Sequence, residues 1–283
     1  MKNILLPTDF SENSWNAIKY AINFFEKEAC NFYVLHVNRP NSSIFNDSLY
    51  TNSEEVLEDI YTIPAKSQLR KIIKHIAEQF PPNKQHKFYT LSDYDFFIDS
   101  IRKHVDEKNI DYIVMGTKGA SGLTKIIVGS NTASVITKVK CNTLIVPEGA
   151  EFNKLKEIAF PTDFSLTYNI QILHPLCEIL ETSQSALRVL HVSKKKANLN
   201  NDQNKNRELL HDYFNHLNHS FHYLTNNKIE EAIQCFVESR SIKLICMVAK
   251  NLNYFQQILF HSKVEEISYH IEIPFLVLHE KTI

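Results

Sequence analysis

The chain has 283 residues, 43% apolar and 22% charged, which is the balance of a folded globular protein and a length that suits two domains. Its 31 basic and 32 acidic residues give a formal net charge of −1, so no positive field favours nucleic acid. No apolar run approaches the roughly 20 residues that cross a bilayer and no secretory signal pattern opens the sequence, so we expect a cytoplasmic protein that binds neither nucleic acid nor membrane.

Apolar and β-branched runs alternate with amphipathic stretches through the first half, which predicts parallel strands joined by crossover helices. Five strands are predicted, at 3–6, 31–37, 87–91, 112–115 and 143–146. Four helices are predicted, at 14–27, 54–79, 94–108 and 130–139. The first helix has the apolar stripe of a helix packed on a sheet, formed by Trp15, Ile18, Ala21, Ile22 and Phe25.

The second half repeats the first. Residues 4–11, ILLPTDFS, return as residues 158–165, IAFPTDFS, and VLHV occurs at 34–37 and at 189–192. The same order of elements is therefore predicted, with strands at 157–160, 186–192, 221–224, 243–248 and 275–278 and helices at 167–182, 204–217, 229–239 and 262–270. This tandem duplication predicts two domains, 1–148 and 154–283.

Four of the five glycines lie within 14 positions of the first half: Gly116, Gly119, Gly122 and Gly129. They follow the predicted fourth strand and precede a predicted helix that begins at Ser130. Such a loop brings backbone N–H groups and a helix N-terminus to one point, which suits an anion. A long turn without a ligand is the alternative. The spacing matches neither the P-loop GxxxxGK[ST] nor a GxGxxG after the first strand.

Two separated motifs resemble the universal stress protein family of adenine-nucleotide-binding α/β domains. The first is the spacing G-x2-G-x9-G-[ST] of Gly116, Gly119 and Gly129-Ser130, and the second is PTDFS, at 7–11 and again at 161–165. The resemblance implies two tandem open parallel five-stranded sheets of strand order 3-2-1-4-5, with helices on both faces. It places a nucleotide over the carboxyl ends of strands one and four. It also implies that the halves pair through their last strands, 142–147 with 274–279, and it allows a homo-oligomer.

The resemblance also implies a set of nucleotide-binding residues in the first half. Asp9 would bond the ribose or adenine region, Val37 would pack on the adenine, and Met115 would lie near the base and sugar. The other positions would shape the turn beside Asp9 or bind the phosphates, and they are Pro7, Thr8, Gly116, Gly119, Gly129, Ser130, Asn131 and Thr132. A plain helix cap is the alternative role of Asp9, and the persistence of Asp163 in the second copy favours a structural role.

The second half lacks the glycines of the first. Aligning Met115 with Met247 places Val248, Asn251 and His261 at the positions of Gly116, Gly119 and Gly129, and side chains there would keep the backbone away from a phosphate. Of the phosphate end, Ser262 alone is retained. We therefore expect one ATP per chain, with any Mg²⁺ held by the nucleotide itself, and none in the second domain.

No catalytic residue or metal ligand is predicted. The five cysteines form no CxxC pair and are expected to be reduced. His211, His216, His219 and His222 crowd one stretch without a ligand-pair spacing such as HExxH, and surface histidines explain them better than a metal site.

The predicted function is an ATP-binding stress-response protein, regulatory, with at most slow hydrolysis. A structural or interaction protein that has lost its ligand is the first alternative. An adenylating enzyme is the second, and it is disfavoured because no added substrate domain accompanies the repeat.

Overall fold

A computed structural model describes residues 1–39, 54–117, 129–167, 169–194, 198–250 and 273–280. Gly119, Gly122 and the predicted helix at 262–270 lie outside the described residues, as do Asn251, His261 and Ser262. No helix in the described part is both long and apolar enough to cross a membrane.

The first half alternates strands and helices as predicted. Its strands are β1 (Lys2–Pro7), β2 (Cys30–Asn38), β3 (His86–Tyr94), β4 (Tyr112–Gly116) and β5 (Asn142–Val146). Its helices are α1 (Glu12–Phe24), α2 (Glu54–Gln79), α3 (Phe97–Glu107) and α4 (Ser130–Lys138). Helix α1 begins two residues earlier than predicted because the Ser11 side chain accepts a hydrogen bond from the Ser14 backbone N–H and caps it.

The second half repeats this order. Its strands are β6 (Glu157–Pro161), β7 (Ala186–Ser193), β8 (His219–Thr225), β9 (Ile245–Val248) and β10 (Phe275–Leu278), and its helices are α5 (Ile170–Ser183), α6 (Asn201–Tyr213) and α7 (Ile229–Ser239). Helix α5 begins three residues later than predicted. Asn169 caps it by accepting a hydrogen bond from the Gln171 backbone N–H.

All ten strands form one sheet, in the order β3-β2-β1-β4-β5-β10-β9-β6-β7-β8. Each half has the predicted order 3-2-1-4-5 with parallel neighbours, and β5 pairs antiparallel with β10, with Leu276 opposite Leu144. The two five-stranded sheets are therefore continuous. Because β5 and β10 run in opposite directions, the carboxyl edge of the first sheet lies on the same side of the molecule as the amino edge of the second.

Helices cover both faces of the sheet, as predicted. Side chains of α1 and α5 share one core with Ile4 and Leu6 of β1. Side chains of α3 and α4 pack with Leu5 on the opposite face, and α7 packs against the second half of the sheet on Ile245 and Val277. The chain therefore leaves β1 toward one face and β4 toward the other, which opens a crevice between the carboxyl ends of these neighbouring strands.

Candidate functional site

The turn after β1 forms one wall of this crevice and is held firmly against β2. The Thr8 backbone N–H donates to the Leu35 carbonyl at 2.8 Å, and the His36 ring nitrogen Nδ1 lies 2.8 Å from the Thr8 carbonyl. Phe10 takes a positive φ of 64° and stacks on the His36 ring with 4.3 Å between centroids. The backbone of the PTDFS motif is thus fixed before any ligand arrives.

Asp9 holds this turn together and does not cap the helix. Its Oδ1 accepts hydrogen bonds from the Ser11 backbone N–H at 3.1 Å and from the Ser11 hydroxyl at 2.5 Å, which is the local bonding of an Asx turn. Ser11 is the cap, so the alternative that Asp9 caps α1 is corrected. Burial raises the pKa of Asp9, but the hydrogen bonds from Ser11 and Ser14 outweigh it and leave the pKa below its usual value. The exposed Asp9 carboxylate is therefore ionised at neutral pH and can accept hydrogen bonds from hydroxyl groups.

The second half builds the same turn. Asp163 Oδ1 accepts from the Ser165 backbone N–H at 2.9 Å and from its hydroxyl at 2.7 Å. Phe164 has a φ of 57° and stacks on His191 with 5.2 Å between centroids. The aspartate thus has the same structural role in both copies.

Helix α6 covers the turn of the second half. Two amides of α6 bond its carbonyl oxygens, with Gln203 Nε2 donating to the Asp163 carbonyl and Asn206 Nδ2 to the Phe164 carbonyl, both at 2.8 Å. Phe164 is completely buried, whereas Phe10 is only half-buried. In the second half, side chains of the protein itself therefore bond the two backbone carbonyls of the turn that a ligand could otherwise contact.

Gly116 ends β4 beside helix α1, and its lack of a side chain has a packing cause. A Cβ at this position would lie 2.8 Å from Asn13 Cγ and closer still to Asn13 Nδ2, which is nearer than real Cβ contacts come. Asn13 is itself buried. The Asn13 side chain would therefore have to shift to admit a Cβ here, whether or not a ligand binds.

The start of α4 is fastened to the end of β4. The Thr132 hydroxyl donates to the Gly116 carbonyl at 2.8 Å, and the Gly129 backbone N–H donates to the Thr117 carbonyl. Gly129 has a φ of −58° and provides no side-chain cap for the helix. Thr132 is buried, while the side chains of Ser130 and Asn131 are exposed. The backbone N–H groups of the first turn of α4 have no hydrogen-bond partner within the helix. Because the positive end of the helix dipole lies at this turn, a negatively charged group is favoured beside it.

The remaining predicted residues belong to the same edge of the sheet. Met115 is buried in the core formed with α3 and α4, and the half-buried Val37 packs against that core from the end of β2. The structure thus places ten of the eleven predicted residues on the ends of β1, β2 and β4 and on the first turn of α4, and Gly119 lies outside the described residues. Their contact with a nucleotide stays a prediction.

Three buried polar groups at this edge escaped the sequence analysis. Thr117 Oγ1, Asn38 Nδ2 and Ser92 Oγ have no hydrogen-bond partner in the described part of the chain. Thr117 follows β4, Asn38 ends β2 and Ser92 lies two residues before the end of β3. Buried polar atoms without a hydrogen-bond partner are rare enough in proteins to need an explanation. Serine, threonine and asparagine are too common at strand ends for the sequence to single them out.

A buried contact between a histidine and an aspartate of the first domain was also missed. His104 Nε2 lies 2.8 Å from Asp93 Oδ2, which also accepts a 2.7 Å hydrogen bond from the Ser100 hydroxyl. Burial raises the pKa of Asp93, but these two hydrogen bonds and the positive field of His104 outweigh it and lower the pKa. Both bonds join α3 to the end of β3, so the pair fixes a helix beside the crevice.

Among the described residues no group of three or more His, Cys, Asp or Glu side chains is arranged to hold a metal ion. In the histidine-rich stretch, His211 Nδ1 and His219 Nε2 instead lie 2.9 Å apart.

Comparisons with known proteins agree with this fold. Residues 1–147 match the sequence model of the universal stress protein family. Universal stress protein MJ0531 of Methanocaldococcus jannaschii is 32% identical over 148 residues, 51% of this chain and 81% of that protein. Universal stress protein MJ0577 of the same organism is 27% identical over 152 residues, 51% of this chain and 94% of that protein. The crystal structure of a universal stress protein from Archaeoglobus fulgidus covers 97% of both chains, with a TM-score of 0.65 and 18% identity, and this likeness shows the fold alone.

Proposed function

Because the chain belongs to the universal stress protein family, we propose that its first domain, residues 1–148, binds one ATP in the crevice between β1 and β4. ATP binding is regulatory: it changes the order of the loops at the crevice or the choice of partner. ATP hydrolysis is slow at most. The second domain, residues 154–283, binds no nucleotide and supports the first through the pairing of β5 with β10.

The observation that carries the proposal is the first turn of α4 at the switch point of the sheet, for which Gly129 provides no side-chain cap. Its backbone N–H groups suit the phosphates, and the Ser130 hydroxyl lies on the same turn. Across the crevice, the ionised Asp9 suits the ribose hydroxyls, since a carboxylate only accepts hydrogen bonds. The half-buried Val37 offers an apolar surface for the base, and the buried Met115 supports it from the core beneath.

Hydrolysis would need a base that positions and deprotonates water. Asp9 is engaged with Ser11, and Asp93 is engaged with His104 and Ser100. Neither carboxylate is therefore free to serve as an efficient base, which supports binding without rapid turnover. A Mg²⁺ ion would be held by the phosphates of ATP, and it is not assigned a ligand from the protein.

One alternative function has a specific observation in its favour. A side chain at Gly116 would clash with the Asn13 side chain. The Thr132 hydroxyl donates to the Gly116 carbonyl, and the Gly129 N–H donates to the Thr117 carbonyl. These parts of the motif have structural partners without a nucleotide, as a structural or interaction protein would require.

We also propose a cytoplasmic location. All five cysteines are free thiols and four of them are buried, which suits a reducing compartment.

A calorimetric titration of ATP into the whole chain separates the two functions. We expect one ATP per chain for the wild type and loss of binding in Gly119→Val and Gly129→Val. Asp163→Ala is a control outside the first domain: it alters the turn after β6 and should bind ATP as the wild type does. No binding at millimolar ATP would leave the structural function, and two ATP per chain would contradict the asymmetry of the halves. Rapid phosphate release, at a turnover of about 1 per second or more as enzymes commonly reach, would overturn the regulatory role.

A further inference from the structure

Two strands end the sheet in the described part of the chain, β3 on one side and β8 on the other. A free strand edge invites pairing with another chain, and proteins commonly prevent this with charged side chains or proline. Strand β3 contains Lys87 and Asp93. Strand β8 has the sequence HSFHYLT, without proline and without Lys, Arg, Asp or Glu. Of these two outer strands, β8 therefore lacks the usual protection against pairing.

The backbone groups that β8 leaves free follow from its pairing with β7. The Leu187 N–H donates to the Asn218 carbonyl, and the Asn226 N–H donates to the Ser193 carbonyl. The backbone groups of Asn218 and Asn226 therefore point toward β7. Because these groups alternate in direction along a strand, every second residue of β8 directs its N–H and carbonyl away from β7. The residues with outward backbone groups are His219, Phe221, Tyr223 and Thr225.

Strand β8 is complementary to a second copy of itself. If two copies run antiparallel with all seven residues of β8 paired, the centre lies at His222. His219 then lies opposite Thr225, and Phe221 lies opposite Tyr223, so each outward residue meets another outward residue. Such pairs exchange both backbone hydrogen bonds, which gives about eight bonds in all. The pairs of Phe221 with Tyr223 are also favourable, since aromatic side chains stabilise antiparallel strands when they lie opposite each other.

The arginines beside β8 do not oppose this arrangement. Arg188 donates to the Ser220 hydroxyl at 2.9 Å, and both Arg188 and Arg240 donate to the Glu157 carboxylate. In the register above Ser220 lies opposite Leu224, so the two copies of Ser220 are about 14 Å apart along the strands. This distance exceeds the ~8 Å over which exposed charges act at physiological ionic strength. Repulsion between the two clusters is therefore small.

From these observations we propose that the free edge of β8 is a dimer interface, at which a second copy of this chain adds its own β8 in antiparallel orientation. The two-fold axis at His222 closes the assembly at two chains. Because a pair of short strands is smaller than a stable protein interface, the dimer is reversible, with a dissociation constant on the order of 0.1 mM. This inference does not depend on ATP binding in the crevice.

Sedimentation equilibrium of the whole chain tests the interface, at concentrations from about 0.02 to 0.5 mM that span the expected dissociation constant. Tyr223→Lys places a charge on the free edge. Tyr223→Pro removes the N–H that donates to Phe221 of the other copy. The matched control is Tyr89→Lys on β3, since Tyr89 is 43% exposed and Tyr223 is 51% exposed. Urea unfolding checks that each variant is folded.

The wild type and Tyr89→Lys should form dimers with the same dissociation constant, and each folded Tyr223 variant should weaken dimerisation about tenfold or more, as the loss of backbone hydrogen bonds implies. A wild type that stays monomeric at the highest concentration, or that forms species larger than a dimer, would overturn the proposal. So would equal dimerisation of the wild type and either folded Tyr223 variant. Loss of the dimer in Tyr89→Lys would mean that β3 takes part, which also contradicts self-pairing of β8.

Discussion

The Thr132 hydroxyl donates a 2.8 Å hydrogen bond to the backbone carbonyl of Gly116. It thereby joins the first turn of α4 to the end of β4. A threonine predicted to bind phosphate therefore has a structural partner, and its role in binding has to be separated from its role in folding.

Thr132→Val tests this role, because valine keeps the shape of the side chain and removes the hydroxyl. We expect a loss of about 1–2 kcal/mol in the free energy of unfolding, since the part-buried Gly116 carbonyl loses its hydrogen-bond donor. Thr132→Ser should retain most of the stability. Urea unfolding followed by the fluorescence of Trp15, the single tryptophan, measures the effect. Unchanged stability with weaker ATP binding in Thr132→Val would assign the hydroxyl to the ligand instead.

Gly116 and Asn13 form the second testable pair. Gly116→Ala should lower the free energy of unfolding by about 1–3 kcal/mol, because the new Cβ meets the Asn13 side chain and a packed interior resists added volume. The double variant Gly116→Ala with Asn13→Ala should lose less stability than the sum of the two single variants, since contacting residues are coupled. Additive losses in this double-mutant cycle would mean that Asn13 does not impose the glycine.

Asp9 and Asp163 can be compared directly, since they have the same partners in the two copies. Asp9→Ala and Asp163→Ala should each cost about 1 kcal/mol of stability, the value of a typical hydrogen bond. Only Asp9→Ala should weaken ATP binding. If the two variants bind ATP equally well, Asp9 is purely structural.

The pKa of Asp9 predicts how its contribution depends on pH. Because this pKa lies below the ordinary value of 3.8, the stability that ionised Asp9 provides is present above pH 3.8 and is lost as the pH falls through the lower value of the folded state. The stability difference between the wild type and Asp9→Ala should therefore shrink below pH 3.8. A difference that is constant from pH 7 to 2.5 would contradict this.

The fold could be predicted from the sequence because its signals are local or repeated. Alternating apolar runs indicate parallel strands, and the return of PTDFS 154 residues later predicts that the second half copies the first. The repeat did not reveal where helix α5 begins. Aligned with Glu12, its first residue would be 166, but Asn169 caps it and it begins at Ile170.

The details of the site depend on contacts between residues distant in the sequence, which no local pattern contains. Asn13 and Gly116 are 103 residues apart, and only the packing of α1 on the sheet brings them together. Both Asp9 and Ser11 are good capping residues, so the choice of Ser11 could not be read from residue type. The α6 amides that close the second turn, Gln203 and Asn206, are likewise about 40 residues from the backbone groups they bond.

Glu157 at the start of β6 gives the sharpest pH prediction for the second domain. Arg240 donates two 2.7 Å hydrogen bonds to its carboxylate and Arg188 donates two more, at 2.7 and 2.9 Å. Hydrogen bonds from Arg240 lower the pKa of Glu157, burial raises it, and Arg188 lowers it further. The net result is a pKa that falls from 4.5 to about 2. Its side chain is 19% exposed, so solvent partly screens the cluster.

A carboxylate whose folded pKa is lowered stabilises the protein above its unfolded pKa and loses this contribution as the pH falls through its folded pKa. Wild type should therefore exceed Glu157→Gln by about 2 kcal/mol in the free energy of unfolding near pH 6, after allowance for screening. This difference should fall steadily between pH 4.5 and 2. Glu208→Gln, at an exposed carboxylate, is the matched control and should show no such trend in urea unfolding. A constant difference between wild type and Glu157→Gln across this range would mean that the two arginines do not hold the carboxylate ionised.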